Sequence, residues 1–209
     1  MSLRSTGALW GSVTRLLHWS TALVVLGMLT AGLYADRLDT STPVGDRQFH
    51  AAINIHKSFG MLLLLLVTAR LLWRLTEDTP SLQAMVPLWQ RVVARTNHLL
   101  LYAGLFVMLI SGYVMASSHG EPPRLLGFRL PLLPTLPGSW EEVAHETHHT
   151  AANLLIALIA FHVLGALKNH FVDKNDVLHN MAGLAPTGEI SPEPVVSAEM
   201  HTSLGALER

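Results

Sequence analysis

The chain has no cysteine in its 209 residues. That excludes a disulfide framework, a Cys-ligated zinc or iron–sulfur site, and covalent haem attachment through C-x-x-C-H. Charge is scarce as well: Asp, Glu, Lys and Arg make up 14%, against ~25% in an ordinary soluble domain. The net charge of -1 leaves no basic footprint for nucleic acid. Gly-rich phosphate loops and internal repeats are absent. What is present is apolar. The hydrophobic residues reach 50%, and with glycine the share is about 57%, above the usual ~45–50%. Mean hydropathy is positive. These figures exclude an intrinsically disordered chain and argue against a soluble domain. Histidine is the other excess, with 12 residues against 14 Lys and Arg together.

Four stretches free of formal charge are candidate membrane spans. The first, Leu16 to Ala35, has 20 residues between Arg15 and Asp36. The second centres on Ser58 to Ala69 and is only 12 residues long. It reaches span length, roughly Ala51 to Trp73, if Lys57 and Arg70 snorkel or sit in protein. The third has 25 residues between Arg95 and Glu121, and the fourth 21 between Glu146 and Lys168. About 20 apolar residues cross ~30 Å of hydrocarbon. The first stretch exceeds a signal-peptide core and GLYAD offers no clear A-x-A site, so a retained span is expected.

The expected fold is all-α, a transmembrane four-helix bundle with both termini cytoplasmic. Orientation rests on the Lys and Arg of the short flanks. One side holds Arg4, Arg15, Arg70, Arg74, Arg91, Arg95, Lys168 and Lys174, and the other Arg37, Arg47, Lys57, Arg124 and Arg129. Tyr34, Tyr113 and Trp140 then mark the outer interface, and Trp19 and Trp73 the inner one. Ser81 to Arg95 suits a helix lying at the inner interface. Ser118 to Trp140, rich in Pro and Gly, reads as an irregular loop. Residues 1–182 form the membrane domain, and 183–209 a disordered tail.

An ionisable residue in a span is costly and is a functional-site hypothesis by default. His18, His56, His98, His145, His148, His149 and His162 all lie in or at the edge of the four spans. Any one of them could be a neutral imidazole bonded to a neighbouring helix. As a set they carry more. His148 and His162 are 14 residues apart, about 40° short of four turns and ~21 Å along the axis, so both leave one helix face. His145 and His149 lie about 100° and 140° away from His162 around the helix. By depth, His18 matches His162 at the inner end, and His56 matches His148 at the outer end. Two histidines facing across a bundle core is the arrangement of bis-His haem ligation. Two such pairs make a path for electrons across or into the membrane. Gly60, one turn after His56, together with Gly27, Gly32, Gly104, Gly112 and Gly165, could line the plates or serve ordinary helix packing.

A rival motif overlaps the fourth span. His145-Glu146-Thr147-His148-His149 matches H-E-x-x-H, which in a zinc hydrolase puts two ligands and a general base on one helix. It also fits a di-iron desaturase box. Each lacks its other parts: a third zinc ligand, or further boxes on one membrane side. A cofactor-free structural subunit is the third class.

At these residues the chain resembles the bacterial cytochrome b561 family. The matching stretches are RLLHW around His18, NIHKSFGMLLLL around His56, ARLLWRL to Leu75, RTNHLLLYAGLFVMLISGYVM, the His148–His162 spacing, and ALKNHFVDKNDVL. They cover roughly residues 8 to 182. The resemblance implies a multi-pass protein of the bacterial inner membrane with two non-covalent haems b. It makes His18, His56, His148 and His162 their iron ligands, paired His18–His162 and His56–His148, with no separate catalytic residue. It implies electron transfer between a periplasmic-side partner protein and membrane quinone, with ubiquinone as a substrate. One family activity oxidises superoxide at the outer face. Here the outer loops set Arg37, Arg47, Arg124 and Arg129 against Asp36, Asp39, Asp46, Glu121, Glu141, Glu142 and Glu146, an acidic balance that Lys57 does not overturn and that does not attract an anion. HKS after Ile55 and HFVDKND after Asn169 are more similar to the branch serving periplasmic partners. His98 also recurs in the family, as a packing residue or a quinone contact.

Overall fold

The structure is a computed structural model that describes residues 2–6, 9–77, 86–120, 124–125, 128–129, 131–133, 137 and 139–184. Four long helices carry it: α1 (Ser12–Ala35), α2 (Pro43–Leu75), α3 (Leu88–Ser118) and α4 (Ser139–Phe171). All four are long and apolar enough to cross a membrane. They outrun the charge-free stretches because charged residues continue each helix beyond the hydrocarbon. The 33 residues of α2 extend ~50 Å at 1.5 Å per residue, well past a 30 Å core.

Local chemistry sets the ends. The hydroxyl of Thr42 accepts the Gly45 amide at 3.1 Å, Pro43 occupies the first turn of α2, and Asp46 faces its positive end. Glu141 and Glu142 open α4 and Lys168 closes it. A short α5 (Val177–Ala182) stops at Gly183, whose φ of 78° lies in the left-handed region.

Two segments fold otherwise than the sequence suggests. Leu88 to Arg95 is not part of a separate interfacial helix; it forms the first turns of α3. Pro87 is the N-cap of α3, and no proline interrupts the run to Ser118. Residues 81–85, like the tail beyond 184, lie outside the described residues. The segment between α3 and α4 is also not wholly irregular. It contains an antiparallel pair, β1 (Arg124–Leu125) and β2 (Phe128–Arg129), with Arg124 opposite Arg129. The Tyr113 hydroxyl donates to the Pro131 carbonyl beneath it.

Packing is by halves. α1 lies on α2 and α3 on α4, while α2 and α3 join the halves and the backbones of α1 and α4 barely touch. Val25, Leu63, Val67 and Leu109 form the mid-height core, with Met28, Leu105, Phe106 and Ile159 against it. Leu23, Leu26, Leu65, Leu72, Leu99, Ile110, Leu154 and Leu164 are exposed. In lipid this outward apolar shell is the expected surface, because association gains little from burying Leu. At one end the N-terminal segment meets α5: the Trp10 amide donates to Asn180 at 2.8 Å, and Trp19 Nε1 to the Met181 carbonyl at 3.0 Å. That end is the termini side, and the opposite end the hairpin side.

Candidate functional site

Two layers of histidine lie above and below the apolar core. On the termini side, the rings of His18 from α1 and His162 from α4 have centroids 6.2 Å apart and planes at 54°. On the hairpin side, His56 from α2 and His148 from α4 are also 6.2 Å apart, with planes at 70°. The helical spacing along α4 predicted this result: one face presents a ring at each end. Two imidazoles on opposite sides of a metal, each bonded at about 2 Å, place their ring centres about 6 Å apart. Both pairs have that separation.

The other histidines do not. His98 of α3 joins the termini-side layer 5.2 Å from His162, shorter than the separation of two imidazoles on opposite sides of one metal. His145 and His149 lie 4.6 Å apart with their rings tilted at 41° and are exposed, as is Glu146. Among the described residues no group of three or more His, Cys, Asp or Glu converges on a metal position. The H-E-x-x-H reading therefore gains its helical pair and lacks a third ligand.

The surroundings of each layer differ. Nδ1 of His148 lies 3.0 Å from the Met108 carbonyl and 3.2 Å from Ser111 Oγ, while that hydroxyl donates to the same carbonyl at 2.9 Å. Nδ1 thus carries the proton and Nε2 keeps its lone pair, the tautomer a metal ligand needs. Nδ1 of His56 is buried with only a weak approach to the Met28 carbonyl. On the termini side Arg70 Nη2 donates to His18 Nδ1 at 2.8 Å, and the guanidinium lies 5.5 Å from the Tyr102 ring centre. Arg70 is therefore held in protein, as a span through this charge requires.

Two glycines border the hairpin-side rings. A Cβ on Gly32 would meet His56 Cε1 at 3.4 Å, and one on Gly112 would meet His148 Cε1 at 3.1 Å. Gly60 has ordinary room against Met28, Gly27 and Gly165 face open space, and Gly104 abuts Leu155. Periodicity along one helix picked out Gly60. The glycines that touch a ring sit on neighbouring helices, a relation set by tertiary packing.

Over residues 9–183 the chain matches the family model described as prokaryotic cytochrome b561. The chain belongs to that family. It is 34% identical over 184 residues to cytochrome b561 homolog 2 of Escherichia coli K12, an alignment covering 88% of this chain and 96% of that protein. It is 28% identical over 166 residues to cytochrome b561 homolog 1 of the same organism, covering 79% and 92%. As a family member it is a multi-pass inner-membrane cytochrome b, an electron carrier that uses b-type haem. The residues present fit such a group. Imidazoles from different helices approach at a metal-spanning distance, and glycines leave the flanks of His56 and His148 clear.

Proposed function

We propose that this family member holds two haems b in the membrane domain of residues 1–182, with 183–209 as a tail outside it. His18 and His162 ligate one iron, and His56 and His148 the other. The termini side faces the cytoplasm, as the excess of Lys and Arg on that side favours. Electrons then pass between a periplasmic-side donor or acceptor protein and the quinone pool. The observation that carries the reading is the pair of 6.2 Å ring separations, one at each end of the bundle.

Haem, when bound, supplies the one-electron couple. The chain's own residues hold and tune. The Met108 carbonyl and Ser111 fix the proton of His148 on Nδ1, which orients the ring and raises its basicity. Val25, Leu63, Val67 and Leu109 exclude water from the layer between the pairs. A superoxide donor finds little support, since Asp36, Glu142 and Glu146 are exposed on the hairpin side and repel an anion.

The test is haem content and reduction in vesicles. Purified protein is expected to contain two haems per chain with low-spin bands. Ubiquinol added to vesicles is expected to reduce them, and a C-terminal reporter to be active only in the cytoplasm. One haem per chain, or haems untouched by quinol, contradicts the reading.

A further inference from the structure

Arg70 is a cation inside a membrane-spanning helix, and among the described residues no carboxylate pairs with it. Its partners are His18 Nδ1 at 2.8 Å and the Tyr102 ring. A guanidinium donates only and stays charged. In this contact, then, Nδ1 accepts. That arrangement cannot persist when His18 holds iron. If iron takes Nδ1, the guanidinium loses its acceptor outright. If iron takes Nε2, Nδ1 carries a proton and faces Arg70 donor to donor. Either way the cation is left without an acceptor in a low-dielectric layer, which is strongly unfavourable. The nearby side chains, His98, His162 and Tyr102, bring no negative charge. The group that would enter this layer carries two carboxylates of its own.

We propose that Arg70 is a positioning residue for the termini-side haem: its guanidinium leaves His18 on haem binding, pairs with a haem carboxylate and raises that haem's reduction potential. The proposal rests on the two-haem reading above. A cation beside the cofactor favours the form with the extra electron, so its loss lowers the potential.

Equilibrium redox titration of quinone-free purified protein tests this with Arg70→Gln and Arg70→Lys. The haem lost in His18→Ala identifies the termini-side couple. Arg70→Gln is expected to disfavour reduction of that couple about tenfold, which is 59 mV for one electron, with the other couple unmoved and Arg70→Lys restoring most of the shift. If Arg70→Gln loses the haem, its retention in Arg70→Lys supports the charge pairing. An unmoved termini-side potential, equal shifts of both couples, equal effects of Gln and Lys, or haem loss in both variants overturns the proposal. A wild-type chain with fewer than two haems, or a His18→Ala variant that keeps both, would instead overturn the reading beneath it.

Discussion

At the scale of single residues, the histidines differ in what surrounds them more than in chemistry. His148 has its Nδ1 proton held by a carbonyl and a hydroxyl, while His145 and His149, on the same helix, are exposed and, among the ring contacts of the described residues, touch only each other's tilted rings. The clearance beside His148 depends on Gly112. A methyl group there would stand 3.1 Å from Cε1 and 3.4 Å from Nδ1, so the ring must tilt or shift. Gly112→Ala is expected to lower haem retention or move the potential of the hairpin-side couple, with the termini-side couple unchanged. Gly27→Ala, whose methyl meets open space, is expected to leave both couples as they are. Redox titration of the two variants checks this, and identical behaviour of both contradicts it. The residues of these layers were legible in the sequence because height along a helix follows from residue number. Arg70 was legible only as a charge inside a span. Its contact with His18 joins two helices, and no pattern within either one encodes that.

At the scale of elements, four helices were readable because runs without charge must be helical to satisfy their backbone in lipid. Their ends were less readable, since the amphipathic turns before Thr96 extend α3 without any breaker after Pro87. The tie between the N-terminal segment and α2 was not readable at all. The Ser5 amide donates to Glu77 Oε2 at 2.6 Å, Arg4 Nε lies 3.9 Å from the same carboxylate, and Arg4 sits over the Trp73 ring. Hydrogen bonding by Ser5 holds the Glu77 carboxyl below the usual glutamate range. Because the docked value lies below the undocked one, the carboxylate stabilises docking at neutral pH. That contribution is complete above the ordinary glutamate value and is lost as pH falls through the depressed one. Protection of the Ser5 amide, taken relative to its intrinsic exchange rate at each pH, is therefore expected to be high at neutral pH and to fall in acid. In Glu77→Gln that protection should be low throughout. A Ser5 amide insensitive to both changes would contradict the tie.

At the scale of the whole molecule, the design is two histidine layers separated by an apolar core within one helical bundle. The α1–α2 and α3–α4 halves pack closely while α1 and α4 stay apart, and α4 supplies one histidine to each layer. This shape follows from the 14-residue interval between His148 and His162, which spans most of a bilayer at ~21 Å. The identity of a redox partner was not legible in the same way, because partners are chosen by loop surfaces that carry no periodic signal.

The pairing of the histidines is the central claim, and the haem-to-chain ratio of double variants tests it most directly. His18→Ala with His162→Ala removes both ligands of one pair, and is predicted to leave one haem per chain. His18→Ala with His148→Ala removes one ligand from each pair, and is predicted to leave none. A haem retained in the second variant, or both lost in the first, would contradict the two-layer account.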